Sequence, residues 1–139
     1  MEIPKNAIEI CLKSREKAIL LPKHSTKVGA CLYVNGIFYD GFNIQNRSHK
    51  SYHAEEIAIL KYLTDLDYPN NVSHSPVPTG MVVSFTDQIT RITFCCGHCR
   101  QMIWETFKNP NFLVTEVDME GNIVASKTIK ELYPDPYPR

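Results

Sequence analysis

Two short motifs in this sequence carry side chains that could bind a metal ion. The first is His-Ala-Glu at 53–55, and the second is Cys-Gly-His-Cys at 96–99. Together they offer the imidazole of His53 and the thiols of Cys96 and Cys99, which are ligands that tetrahedral zinc prefers. Three protein ligands leave the fourth position open to water, as in catalytic zinc sites. The motifs therefore predict one zinc ion per subunit, bound so that it can activate water.

A fourth protein ligand would close this site and make the zinc purely structural. Cys95 and His98 are the residues to consider. Cys95 is adjacent to Cys96, and two neighbouring side chains rarely reach one ion. His98 lies between the two cysteine ligands and would point away from them. We therefore expect an open site.

The glutamate two residues after His53 has a role in such a site. Glu55 could accept a proton from the activated water and pass it on, which is general acid and base catalysis. The alternative is a solvated glutamate in the first turn of a helix, where the helix dipole favours negative charge. That interpretation suits the next residue, Glu56, better. Glu55 is the predicted catalytic residue.

Length and composition indicate one globular domain spanning 1–139. The chain has 139 residues, of which 43% are apolar and 22% charged. Lysine plus arginine equals aspartate plus glutamate at 15 each, and the pI is near 6.9. A protein that follows a phosphate backbone needs a basic surplus, so long nucleic acid is excluded as the first choice of partner.

The same sequence contains no apolar run of membrane-spanning length and no basic start followed by an apolar segment. Five cysteines, three of them clustered, favour metal binding in a reducing compartment over disulfides. We therefore expect a cytoplasmic protein with no membrane association. Cys11 and Cys31 are expected to be buried as small apolar residues.

Apolar periodicity predicts the first half of the fold. A helical stripe that includes Cys11 and Ile19 predicts an opening helix that ends near Pro22. Asn35-Gly36 stands between the apolar runs 28–34 and 37–39 and predicts a β-hairpin. Helical spacing after residue 53 places His53 and Glu55 in the first turn of a second helix.

The second half alternates strands and helices. Strands are predicted at 81–85, 112–117 and 123–125, and a third helix at Gly97–Phe107. Residues 65–78 are predicted to form a surface loop, and a short helix should follow Thr128. With the hairpin, this order gives an α/β fold in which a mixed five-stranded sheet carries helices on both faces.

The motifs are similar to those of the cytidine deaminase family, and specifically of its small single-domain members. His-x-Glu followed by Cys-x-x-Cys is the signature of zinc deaminases. The resemblance extends from residue 5 to residue 137 and keeps the family's order and spacing. The motifs that carry it are Val28-Gly29-Ala30, Gly41 to Asn46, His53-Ala54-Glu55, Cys96 to Gln101 and Glu131 to Pro134.

The resemblance implies how a pyrimidine nucleoside would be bound. Asn43 and Gln45 stand where the family binds the ribose hydroxyls, and the backbone N–H of Ala54 would bind the pyrimidine carbonyl. Tyr137 corresponds to an aromatic residue that closes over the substrate, in some members from an adjacent subunit. Glu55 would address the ring nitrogen beside the amino group.

Three departures from the family pattern affect these expectations. Gln45 replaces a glutamate, and an amide is a weaker acceptor than a carboxylate for ribose hydroxyls. Cys95 replaces a proline and is expected to be a packing residue. Glu56 replaces an arginine that accompanies a third cysteine ligand, so its presence is consistent with a histidine ligand at position 53.

The resemblance implies zinc-dependent hydrolytic deamination of cytidine or deoxycytidine, releasing uridine or deoxyuridine and ammonia. Such an enzyme would serve pyrimidine salvage and assemble as a homotetramer or a dimer. Because Gln45 departs from the pattern, deamination of another aminopyrimidine, such as blasticidin S, is an alternative. A zinc-stabilised module that binds a nucleoside without catalysis is the non-enzymatic alternative.

Overall fold

A computed structural model describes residues 3–21, 26–46, 50–65, 79–86 and 94–136. The helices in this part of the chain are α1 (Lys5–Arg15), α2 (Ala54–Asp65), α3 (Gly97–Phe107) and α4 (Ile129–Leu132). The strands are β1 (Ile19–Leu20), β2 (Val28–Val34), β3 (Ile37–Phe42), β4 (Ile44–Gln45), β5 (Ser51–Tyr52), β6 (Thr79–Phe85), β7 (Leu113–Val117) and β8 (Ile123–Thr128).

The predicted mixed five-stranded sheet is confirmed. Its strand order is β3-β2-β6-β7-β8, in which β6 and β7 run parallel and the other neighbours run antiparallel. The central strand β6 is buried along nearly its whole length, as its continuous apolar run predicts. Asn35 and Gly36 both have positive φ, at 52° and 78°, which is the conformation that a tight two-residue hairpin turn requires.

Helices cover both faces of this sheet, also as predicted. On one face, α1 packs Ala7 and Cys11 against Cys31 and Val82 of the sheet. On the other face, α2 and α3 form the larger core together with inward residues of the sheet. Cys11 and Cys31 are fully buried, which confirms their expected role as small apolar residues. The second face is the one that positions the two metal-binding motifs.

The first helix is shorter than the sequence suggested. It ends at Arg15 rather than near Pro22, and residues 19–20 form strand β1, which pairs parallel with β4. The helix is shorter because the backbone after it forms hydrogen bonds in an extended conformation. The N–H groups of Ile19 and Leu21 donate to the carbonyls of Asn43 and Gln45. Strands β1, β4 and β5 form a small second sheet that was not predicted.

The remaining boundaries agree closely with the sequence analysis. Helix α3 has the predicted bounds, β6 begins two residues earlier than predicted, and β8 continues three residues further. Helix α2 begins at Ala54, so Glu55 lies in its first turn while His53 immediately precedes it. Of the predicted surface loop at 65–78, Asp65 belongs to α2 and the rest lies outside the described residues.

Close packing between β3 and α2 sets the position of the second helix, and Gly41 permits it. A Cβ atom at Gly41 would lie 2.0 Å from the Ala54 carbonyl oxygen and 2.9 Å from the Ala58 nitrogen. Both are backbone atoms, so the helix itself would have to move. We expect Gly41→Ala to lower the free energy of unfolding by about 3 kcal/mol or more, measured by denaturant titration.

Gly97→Ala is the matched control for this substitution, because a Cβ at Gly97 meets nothing within 4 Å. Alanine is also the better helix former, so Gly97→Ala is expected to cost no stability. Equal stability of Gly41→Ala and the unchanged protein would contradict the close approach of β3 and α2.

Candidate active site

The starts of two helices bring the predicted metal ligands together. His53 immediately precedes α2, Cys96 is the N-cap residue of α3, and Cys99 lies in the first turn of α3. The Cys96 side chain makes no capping hydrogen bond to its own helix. Its thiol is instead directed towards the His53 ring.

The separation of these side chains fits a zinc ion. His53 Nδ1 lies 3.2 Å from Cys96 Sγ and 3.4 Å from Cys99 Sγ. The three ligand atoms all lie within 4.8 Å of one another. In a tetrahedral zinc site, Zn–S distances of about 2.3 Å and Zn–N distances of about 2.0 Å place the nitrogen and sulfur ligand atoms at a similar separation from each other. His53, Cys96 and Cys99 thus form a zinc site with one nitrogen and two sulfur ligands.

Cys95 and His98, the two residues considered as a fourth ligand, are not part of the ligand cluster. His98 is exposed, and its Nε2 faces a carboxylate oxygen of Glu56 at 3.2 Å. Cys95 is buried, and burial together with the charge of Glu55 raises the pKa of its thiol to about 12. A neutral buried thiol is a packing group, as expected from the sequence.

The Cys99 thiol needs a cation beside it in order to ionise. It is fully buried, and burial followed by the charge of Glu55 raises the pKa of this thiol well above its usual value. A coordinated divalent ion reverses that effect, because a thiol bound to it loses its proton outright. The buried position of Cys99 is therefore chemically reasonable for a metal ligand.

Glu55 lies in the wall of a cavity next to this site. Its side chain is buried, with 4% of the residue exposed, and it lines the cavity together with His53 and Cys96. Burial is the main cause that raises the pKa of this carboxyl. A buried carboxyl in a cavity that also contains metal ligands is a suitable proton carrier.

Glu56 is more closely involved than the sequence suggested. We expected a solvated glutamate, but its Oε1 accepts the backbone N–H of His53 at 2.7 Å while its Oε2 contacts His98. Its side chain is only 16% exposed. The signal was present in the sequence, since a glutamate three residues after the position preceding a helix commonly bonds back to that backbone.

The cavity has a volume of about 470 Å³, enough for a nucleoside-sized molecule. Asn43, Gln45 and Ala54, all three predicted to bind substrate, line it. The Asn43 side chain is held in place: its Oδ1 accepts the Val28 N–H at 2.8 Å, and its Nδ2 donates to the Thr26 carbonyl at 2.7 Å. Tyr137, the fourth predicted binding residue, lies outside the described residues.

Three aromatic rings that the sequence analysis did not single out also line the cavity. These are Tyr52 in β5, Phe85 at the end of β6, and Phe94. Phe94 has a φ of 52°, and its N–H donates to Oε1 of the buried Glu116 at 2.8 Å. Aromatic side chains provide flat apolar contacts for a ring-shaped ligand. Tertiary packing places these rings in the cavity wall. The only sequence signal for this is the position of Phe94 directly before the cysteine pair.

Arg100 anchors the cysteine motif to helix α4. Its Nε donates to the Cys95 carbonyl and its Nη1 to the Leu132 carbonyl, both at 2.8 Å. One residue further along α3, Gln101 accepts a hydrogen bond from the hydroxyl of Tyr133. The segment after α4 is thereby attached to the same helix that carries Cys99.

Comparison with known proteins identifies the family. Residues 1–114 match the family described as the cytidine and deoxycytidylate deaminase zinc-binding region. This stretch covers most of the chain and contains every predicted site residue except Tyr137. The protein therefore belongs to the cytidine and deoxycytidylate deaminase family. It is a hydrolytic deaminase, and zinc is its cofactor.

Solved structures agree with this assignment. Cytidine deaminase from Burkholderia pseudomallei is 26% identical with a TM-score of 0.76, covering 98% of this chain and 100% of its own. Cytidine deaminase from Mycobacterium tuberculosis is 18% identical with a TM-score of 0.68, covering 99% and 100%. The enzyme from Mycobacterium leprae is 20% identical with a TM-score of 0.63, covering 96% and 99%. At these lower identities, the two mycobacterial structures support the fold only.

A search of the curated proteins found no match. Among the helices in the described part of the chain, none has the length and apolar character needed to cross a membrane.

Proposed function

We propose that this protein deaminates cytidine or deoxycytidine by hydrolysis, giving uridine or deoxyuridine and ammonia. The observation that carries this proposal is the position of Glu55, a buried carboxyl in the wall of the cavity that also contains His53 and Cys96. Oxygen from water replaces the amino nitrogen at the carbon that bears it, so the only other product is ammonia. Family membership and the similarity to cytidine deaminases support the same chemistry.

His53, Cys96 and Cys99 would hold the zinc. The bound ion supplies a Lewis acid that lowers the pKa of water to roughly 7. Two ionised thiols and a neutral imidazole balance the charge of a divalent ion. The contribution of the chain is to hold His53 and Cys96 in the cavity wall and the buried Cys99 beside them, at the starts of α2 and α3.

Glu55 would carry the proton through the reaction. It accepts a proton from the attacking water, transfers it to the ring nitrogen beside the amino group, and then helps the amino group leave as ammonia. Its burial excludes bulk water from these transfers. The same carboxyl therefore acts first as a base and later as an acid.

The remaining predicted residues would orient the nucleoside. The N–H of Ala54 is at the start of α2, where backbone donors have no partner within the helix, and it would donate to the pyrimidine carbonyl. Nδ2 of Asn43 carries two hydrogens, and its bond to the Thr26 carbonyl uses one of them. The second hydrogen, together with Gln45, would bind the sugar hydroxyls. Tyr137 would close over the substrate.

The lining favours an uncharged substrate over a nucleotide. Among the lining residues that the structure describes, there is no lysine or arginine to bind a phosphate. The side chains of Asn43 and Gln45 instead offer neutral hydrogen-bonding groups. We therefore propose a free pyrimidine nucleoside as the substrate.

We also propose that the chain forms a single domain spanning 1–139 and assembles as a homotetramer or a dimer, with Tyr137 near an active site of the assembly. All five cysteines are unpaired, which supports a reducing, cytoplasmic location. In that compartment, converting cytidine to uridine would serve pyrimidine salvage.

Parallel assays with cytidine, deoxycytidine, deoxycytidylate and blasticidin S test the substrate. Blasticidin S is included because Gln45, a departure from the family pattern, lines the cavity. We expect turnover of cytidine and deoxycytidine, monitored as a loss of ultraviolet absorbance. Little turnover of deoxycytidylate is expected. Gln45→Glu should lower KM for cytidine, because a carboxylate binds sugar hydroxyls more strongly than an amide. Turnover of blasticidin S alone would contradict the nucleoside assignment.

A further inference from the structure

We propose that Glu56 is a positioning residue that sets the histidine ligand of the zinc site relative to the two cysteine ligands. Its carboxylate contacts the backbone of His53 and the side chain of His98 at the same time. The inference rests on the zinc-dependent deamination proposed above, since it concerns the geometry of that site.

The first contact fixes the backbone that carries the histidine ligand. Glu56 Oε1 accepts the His53 N–H at 2.7 Å, a short distance typical of a charge-assisted hydrogen bond. His53 lies immediately before α2, where the chain changes from extended to helical conformation. Its ring is directed towards the thiols, so a shift of this backbone would move Nδ1 relative to both sulfur atoms.

The second contact joins α2 to the cysteine motif. Glu56 Oε2 lies 3.2 Å from His98 Nε2. A carboxylate oxygen can only accept, so Nε2 of His98 carries the hydrogen. His98 stands between the two cysteine ligands in the first turn of α3, and its ring meets the His53 ring edge to face at 5.8 Å. One carboxylate thus connects the starts of both helices that carry the ligands.

Burial indicates which contact contributes more. The Glu56 side chain is 16% exposed, whereas the His98 side chain is 61% exposed. A hydrogen bond to an exposed ring competes with water, and the shielded bond to the His53 backbone does so less. We therefore expect loss of Glu56 to have a larger effect than loss of His98.

Glu56 acts through the ligands and not on the substrate. Unlike Glu55, it lies outside the cavity wall. Both of its oxygens are engaged by His53 and His98, and it is not one of the three residues whose ligand atoms cluster. Groups that orient metal ligands in this way typically contribute 10-fold to 100-fold in metal affinity or activity.

The test measures the zinc affinity of the 139-residue protein by competition with a coloured chelator. We expect Glu56→Ala to weaken zinc binding by roughly 10-fold to 100-fold. Glu56→Gln keeps one acceptor oxygen and should recover part of this loss, and His98→Ala should have the smallest effect. Glu9→Gln, on the exposed face of α1, is the matched control and should bind zinc as the unchanged protein does.

Cobalt substitution provides a readout that a merely structural role would not change. If Glu56 positions the ligands, the visible absorption bands of the cobalt protein should shift in Glu56→Ala and, to a lesser extent, in Glu56→Gln. For the zinc enzyme, kcat should fall while KM for cytidine stays close to its original value, because the cavity wall is intact.

The outcomes separate this inference from the proposed function. Unchanged zinc affinity and cobalt spectra in a folded Glu56→Ala protein would overturn the role of Glu56. Should Glu56→Ala fail to fold, unchanged values in both Glu56→Gln and His98→Ala would overturn it instead. If His53→Ala also left zinc binding unaffected, the zinc site itself, and with it the proposed function, would be wrong.

Discussion

Replacing Glu55 with glutamine is expected to reduce cytidine deamination by about 10²-fold to 10⁴-fold, the range that a general acid and base contributes. The substitution preserves size and burial but removes the group that carries the proton. Since His53, Cys96 and Cys99 are unchanged, the variant should still bind one zinc per chain. The measurements are kcat for cytidine and zinc content by elemental analysis.

Glu120→Gln is the control, because Glu120 is exposed in the turn between β7 and β8, far along the chain from the motifs. It should deaminate cytidine at the original rate. Full activity of a zinc-loaded Glu55→Gln protein would show that another group transfers the proton.

Removing the buried cysteine ligand should eliminate both zinc and activity. Cys99→Ala leaves one imidazole and one thiol, which is too few ligands for a stable zinc site. Because a bound metal stabilises the folded state in proportion to its affinity and concentration, the variant should also lose the rise in Tm that zinc gives the unchanged protein. At a zinc concentration 1,000 times Kd, this stabilisation is about 4 kcal/mol.

Cys31→Ala is a demanding control for this prediction, because Cys31 is also fully buried but packs on the opposite face of the sheet with Cys11. It should lose some stability by leaving a small cavity and should still bind one zinc per chain. Equal zinc contents in Cys99→Ala and Cys31→Ala would contradict the ligand assignment.

The site and the main sheet could be predicted because their sequence signals are local or chemically specific. One histidine and two cysteines, at 53, 96 and 99, are the ligand types of a zinc site. Asn35-Gly36 specifies the hairpin turn, because both residues adopt positive φ. The apolar run in β6 indicates a central buried strand. The hairpin and strand signals depend on residues close together in the sequence, whereas the metal site is specified by the chemistry of its ligands.

The missed features depend on contacts between distant segments. Strands β1 and β4 have two residues each, too few for any periodicity, and they form because their backbones pair with each other. Phe94 reaches the cavity in a left-handed conformation beside the buried Glu116, a partner 22 residues away. For Glu56, the bond to the His53 backbone is local and has a sequence signal, but the link to His98 crosses from one helix to another and has none.

The most direct test of hydrolytic deamination is to incubate the zinc protein with cytidine in water enriched in oxygen-18 and analyse the product by mass spectrometry. If water attacks the ring in the cavity beside Glu55, uridine should form with heavy oxygen at the position that bore the amino group, and ammonia should form in equal amount. Absence of uridine, or uridine without the heavy oxygen, would contradict this account of the site.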